Sequence, residues 1–215
     1  MNGVARHSNR QLGWLSRNRW GLGLLPLATV LALAASSDRV KTYFWEADLH
    51  EPQVVEQGEW VSYSEPYTLE TGEKIMSLRA RLESVRTLSA EEATGSMNYR
   101  MPEKTSAVEV TLAVEADPAT PLVGCSMALR DKAGNRYTFQ STQVAGGQPT
   151  SVCVPADATG PTTLFGKVEM PEPDEKQRPA KYTVKPVWVI PADADVTEVD
   201  LWWEIPHYLA FRAAD

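Results

Sequence analysis

Two hydrophobic patterns divide the chain. From Trp20 to Ser37 there is no charged residue, and the run from Gly21 to Ala35 is apolar on every face a helix would present. With no polar stripe to offer water, this is not the pattern of an amphipathic surface helix. As a helix it is about 27 Å long, close to the roughly 30 Å hydrocarbon core of a bilayer, and it predicts a transmembrane helix over 20–37.

Farther on the period falls to two. Val108, Val110, Leu112 and Val114 alternate with Glu109, Thr111 and Glu115, which predicts a half-buried strand over 107–116. Asp117-Pro118 and Pro121 interrupt it, and Val123, Cys125, Met127 and Leu129 resume the alternation. The turn-rich stretch 131–135 then leads into 136–140, giving a hairpin. Similar strands are expected at 59–63, 74–86, 150–154, 162–169, 182–190 and 196–205. Residues 78–88 fit both periods: Leu78, Ala80 and Leu82 suit a strand, and Leu78, Leu82, Val85 and Leu88 suit a helix. The all-β surroundings favour strand. Proline and charge mark 91–104 and 169–179 as exposed loops. No repeat of fixed period is present.

Some eight short strands with almost no helical period predict a mainly β fold, an antiparallel sandwich or barrel. The expected organisation is a basic tail at 1–19, the helix at 20–37, a stalk or linker at 38–57 and the β domain at 58–215. Whether 47–57 is linker or helical stalk stays open.

Charge adds orientation. Four of the 21 basic residues, Arg6, Arg10, Arg17 and Arg19, precede Asp38, and none of the 28 acidic residues does. Arginines resist translocation, so the N-terminus is expected in the cytoplasm and the β domain outside the cell. Trp14 and Trp20 before the span, and Tyr43, Phe44 and Trp45 after it, suit the two headgroup layers and argue for a retained anchor. The competing reading is a secretory signal cleaved at Ala32-Leu33-Ala34. Residues 38–215 are left with a net charge of −11. Such a domain repels phosphate backbones, so nucleic acid is not expected as a partner.

The two cysteines, Cys125 and Cys153, lie far from any metal-binding spacing. In an extracytoplasmic domain they are expected to pair, for about 3.5 kcal/mol on the chain-entropy model. In a reducing compartment they would be separate core thiols.

Candidate chemistry is sparse. His50 and His207 have no nucleophile elbow, metal-binding helix or second histidine at ligand spacing. A pocket bringing His207 to two carboxylates is the arrangement that would point to a hydrolase. Asp193, Asp195 and Asp200 offer oxygens to a hard cation, but no EF-hand pattern accompanies them. No catalytic, cofactor or metal residues are therefore assigned. Trp188, Trp202, Trp203, Tyr208 and Phe211 crowd the C-terminal part. Adjacent residues of a strand point to opposite faces, so at most one of Trp202 and Trp203 enters a simple core. The pair is the candidate binding face.

From Ala107 onward the chain resembles immunoglobulin-like extracytoplasmic modules of unknown function from bacterial surface proteins. The resemblance rests on the alternating strand Val108 to Val114, the pattern Leu129-x-Asp131-x-x-Gly134-x-x-Tyr137, and Cys153-Val154-Pro155. It implies an antiparallel immunoglobulin-like β-sandwich. The whole chain resembles single-pass bacterial membrane proteins for which no activity is implied. The leading expectation is a membrane-tethered binding or accessory module of the cell envelope, taking a protein or envelope ligand and held by residues 20–37. Next comes a structural subunit of a membrane complex, its span packing through Gly21 and Gly23. An envelope hydrolase comes third.

Overall fold

An apolar helix and an alternating β region bury their surfaces in different ways, and the chain divides accordingly into Met1–Asp48 and Leu49–Asp215. The computed structural model describes residues 13–14, 17–97, 101–139 and 151–214.

In the first unit, helix α1 (Arg19–Val40) runs without a break into a π-helical turn, Lys41–Trp45. It is long and apolar enough to cross a membrane, and its leucines stay exposed all round. The hydroxyls of Thr29 and Ser37 donate to the Leu25 and Ala34 carbonyls at 2.9 and 2.7 Å. Both polar groups are thus satisfied within their own helix, as a water-free surrounding requires. Pro26 interrupts the ladder by lacking an N–H.

The expected stalk at 38–57 does not survive as one element. Its first part continues the helix, and Leu49 onward belongs to the second unit, where strand β1 (Glu51–Glu56) pairs in a sheet. Only Val55 of β1 is buried, which is why alternation did not reveal it.

The second unit is built mainly from two sheets. In one, β1 lies beside β12 (His207–Arg212), followed by β11 (Val196–Trp202), β5 (Ser126–Asp131) and β6 (Arg136–Thr138). The other orders β2 (Val61–Leu69), β3 (Gly72–Leu88) and β4 (Thr105–Ala116), and β9 (Lys181–Val184) and β10 (Val187–Pro191) share the far edge of β4. A hairpin of β7 (Thr162–Leu164) and β8 (Lys167–Glu169) stands apart. Ladder pairings are antiparallel except β1 with β12. Inward side chains of both sheets share one core: Tyr63, Leu78, Leu82, Val110, Leu112 and Val114 join Met127, Leu129, Val199, Leu201, Leu209 and Phe211.

The doubly periodic stretch 78–88 is strand β3 with a bulge between Leu82 and Ser84. One extra residue resets the alternation, so Leu82 and Val85 both reach the main core although three residues apart. Leu88 then falls on the other face, against Ala93, Ala107 and Val187.

Other expectations shift. Within 91–104 there is a helix, α2 (Ala90–Met97). Its start is a capping box: the Glu92 N–H donates to Ser89 Oγ at 3.2 Å, and the Ser89 N–H donates to the Glu92 carboxylate at 2.9 Å. Arg86 and these bonds hold the Glu92 carboxyl down at about 2. Residues 151–154 form turns rather than a strand, for the Cys153 carbonyl accepts from Tyr182 Oη at 2.7 Å instead of a ladder partner. Glu109, expected in solvent, is buried beneath its ion pair with Arg86 at 3.0 Å. The motif from Leu129 to Tyr137 closes the β5–β6 hairpin: the Asp131 carboxylate accepts from the Asn135 N–H and Nδ2 at 2.8 Å and from Tyr137 Oη at 2.9 Å. Gly134 supplies the positive φ of 86° that the turn requires.

Candidate functional site

Strand polarity separates the two tryptophans at the end of β11. Trp202 packs outward against Leu49, Tyr208 and Ala210. Trp203 turns the other way, onto the core, with its ring 5.2 Å from that of Tyr63. Both are half-buried. The rest of the aromatic group is structural: Trp188, Tyr208 and Phe211 are buried, and Trp188 meets Phe139 edge-on at 5.3 Å.

Trp203 lines a cleft of about 390 Å³. Its other walls are Glu65, Pro66, Tyr67 and Met76 from β2 and β3, Pro121 and Val123 from the loop before β5, Thr163 of β7, and Glu204. The Tyr63 hydroxyl, which lines a neighbouring cavity, donates to Glu65 Oε2 at 2.6 Å. Burial, reinforced by that carboxylate, pushes the Tyr63 hydroxyl well above its ordinary range, so it stays a proton donor. Among the described residues neither Glu65 nor Glu204 has an ion-pair partner. Val123 of the lining is 50% exposed, and Ile205 and Phe165, which follow Glu204 and Thr163 closely in the chain, are 39% and 88% exposed.

The walls are held by Arg178, which is only 2% exposed although the sequence places it in a solvated loop. Its Nη2 donates to the Asp117 and Thr120 carbonyls at 2.7 and 2.8 Å, fixing the loop that enters the cleft at Pro121. Its backbone N–H donates to the Thr159 carbonyl at 2.9 Å, and its guanidinium lies against Gly160, where a Cβ would meet Nε at 3.2 Å. This second contact fixes the approach to β7. The guanidinium also covers the Tyr182 ring at 5.5 Å, and Tyr182 bonds to Cys153. Cys125 and Cys153 stand at disulfide distance, with Cα atoms 6.0 Å apart, and tie the same region together.

A second cavity of about 480 Å³ lies between β1 and β2, lined by Glu51, Ser62, Ser64, Glu65, His207 and Tyr208 among others. His207 Nε2 is 2.9 Å from Glu51 Oε2, with both side chains more than half exposed. His50 Nε2 lies 3.9 Å from the same carboxylate. Ser64 Oγ is engaged with Ser77 Oγ at 3.2 Å. The cavity thus brings His207 into one lining with two carboxylates and shows no activated nucleophile among the described residues.

The three candidate aspartates do not converge, and the described residues contain no group of three or more metal-ligating side chains. Asp200 is fully buried on the outer face of β11, in register with Ala128 and Ala210. Arg130 Nη2 reaches it at 2.8 Å, and Arg130 Nε reaches Glu198 at 3.1 Å. One guanidinium serves two carboxylates, and burial pushes Asp200 up to about 7.

No protein-family model, curated protein or solved structure matches the chain.

Sequence reasoning named Trp203 but not Glu65, Tyr67, Val123 or Glu204. The sequence signal available was the position of Glu204 beside the tryptophans. The rest come together from segments more than 50 residues apart in the chain.

Proposed function

We propose that the chain is a single-pass, membrane-tethered binding module of the bacterial cell envelope, with its N-terminus in the cytoplasm, its β unit outside and its ligand site in the Trp203 cleft. The apolar α1 and the arginines before it support the tether and its orientation. The cysteine pair fits an oxidising compartment. The order of strands supports an immunoglobulin-like sandwich: β4 and β10 share one sheet while β5, β11 and β12 share the other, as strands B and E oppose C, F and G in that fold. The β2–β3 hairpin occupies the flank of a first strand, and the cysteine pair does not join the B and F positions.

The observation that carries the binding reading is the cleft: an aromatic floor, exposed apolar neighbours and polar groups that nothing in the described chain neutralises. Among the tryptophans, Trp203 rather than Trp202 carries it. The test is a photo-crosslinking residue placed at Val123 of the full-length protein in native membranes, with another at Glu59 as control. A discrete adduct at Val123 that disappears in Trp203→Ala supports the reading; the same adducts from both positions overturn it. Adducts formed only from positions in α1 would favour a structural subunit of a membrane complex instead.

The His207 cavity favours hydrolysis as a second reading. Turnover of envelope glycan or peptide substrates that is lost in His207→Gln would establish it, and equal turnover in both proteins would remove it.

A further inference from the structure

We propose that the occupant of the Trp203 cleft is a lysine or arginine side chain carried on an extended, otherwise apolar segment of a partner protein. The inference rests on the cleft being a binding site, and charge complementarity then selects the occupant. Glu65 and Glu204 face one cleft, and neither has an ion-pair partner among the described residues. Of the Arg and Lys side chains on the neighbouring strands, Lys74, opposite Tyr67 on β3, makes no ion pair among the described residues, and the others are committed elsewhere. Arg79 and Lys181 pair with Glu115 at 3.0 and 2.8 Å, Arg81 with Glu83 at 2.8 Å, and Lys167 with Glu70 at 3.4 Å. Two like charges beside a half-buried tryptophan repel each other and are costly to desolvate unless a cation joins them.

The aromatic floor favours the same occupant. Trp203 and Tyr67 present ring surface next to the carboxylates, the combination that holds a cation by its charge and by the ring faces together. The volume of about 390 Å³ suits one long side chain rather than a helix or a folded loop. Exposed Val123, Ile205 and Phe165 offer apolar surface for the residues on either side of that side chain. The open edge of β2 runs past Glu65 and Pro66, and an extended segment lying there would point alternate side chains toward the cleft.

Fluorescence polarisation with full-length protein in zwitterionic micelles tests this. The probes are dye-labelled acetyl-Leu-Arg-Leu-amide and acetyl-Leu-Gln-Leu-amide. The arginine peptide is expected to bind saturably and at least tenfold more tightly than the glutamine peptide, with the difference shrinking as salt rises. Glu204→Gln is expected to weaken it about threefold or more, Glu65→Gln/Glu204→Gln tenfold or more, and the distant Glu59→Gln not at all. Glu204 makes no hydrogen bond among the described residues, so its variant tests charge without disturbing Tyr63. Equal affinity for the two peptides, unchanged affinity in Glu204→Gln, or no saturable binding of the arginine peptide at millimolar concentration overturns the inference. The crosslink from Val123 reports on the cleft separately: an adduct there alongside equal peptide affinities removes the cation and leaves the binding site.

Discussion

Arg178 is the buried cation on which the cleft walls depend, and Arg178→Met tests that dependence. The substitution keeps much of the apolar stem and removes every donor. Hydrogen bonds from a charged group contribute roughly 1.5–3 kcal/mol each, and Nη2 makes two of them to backbone carbonyls. The Asp117 carbonyl keeps the Thr120 N–H at 2.9 Å, so its loss falls toward the lower end. The Thr120 carbonyl is left without that donor, so its loss falls toward the upper end. The gross loss is about 4 kcal/mol, and removing a buried charge returns part of it. A net destabilisation of about 2–3 kcal/mol is expected from urea unfolding of the full chain in micelles. Arg178→Lys retains the charge, but an ammonium cannot reach both carbonyls and Tyr182 as the planar fork does, so a loss of about 1–2 kcal/mol is expected. A destabilisation under 0.5 kcal/mol in Arg178→Met would refute the claim that the guanidinium fastens the Asp117–Thr120 approach to the cleft.

The raised pKa of buried Asp200 predicts an unusual pH response. The folded pKa of Asp200 is raised to about 7, so its contribution to stability is fully present below the unfolded value near 4 and is lost as pH rises through about 7. Asp200→Asn removes the titration, so the stability of wild type relative to this variant should fall between about pH 4 and 7, by at most about 1.4 kcal/mol per pH unit; parallel stability curves across that window would dismiss the raised pKa. For α2, Ser89→Ala removes the cap and should cost about 1 kcal/mol. Hydrogen exchange at the Ala93 amide, which donates to the Ser89 carbonyl, should accelerate before global unfolding changes, and unchanged exchange there would deny the cap its role.

The fold was legible where one face decided the pattern. β4 reads correctly because its core side alternates without interruption, and α1 reads correctly because it has no polar side. β3 was ambiguous for a physical reason: its bulge shifts the phase between Leu82 and Val85, and a local count cannot tell a phase shift from a helical period. β1 and β12 escaped notice differently. β1 is an edge strand with one buried residue, and four consecutive residues of β12, Tyr208 to Phe211, are buried on both faces. The Ser89-x-x-Glu92 capping pattern is present in the sequence, and without it the proline and charge of 91–104 read as a loop. Arg178 was not visible at all. Its burial depends on carbonyls about 60 residues away, and a charged, proline-rich segment carries no mark of a distant acceptor.

The same reasoning separates structural from functional features in the finished fold. A sequence shaped only by folding is expected to resolve its local conflicts, and most of this β unit does so. Glu109 has Arg86, Glu115 has two cations, and the Asp131 carboxylate has three donors. The cleft departs from that habit, as do exposed acids such as Glu59 and Glu73, which have no ion pair among the described residues, and the buried Trp188 Nε1, which has no acceptor. Glu65 is bonded only to a tyrosine, Glu204 has no cation, and the Trp203 Nε1 is buried without an acceptor. A lysine at the position of Thr163 would neutralise the cleft and close it, and a phenylalanine at the position of Tyr63 would remove the donor that holds Glu65. Both changes are open to a chain that needs only stability, and neither is present. What sets the cleft apart is that its two unpaired carboxylates share one lining with a half-buried tryptophan, and the binding proposal rests on that combination.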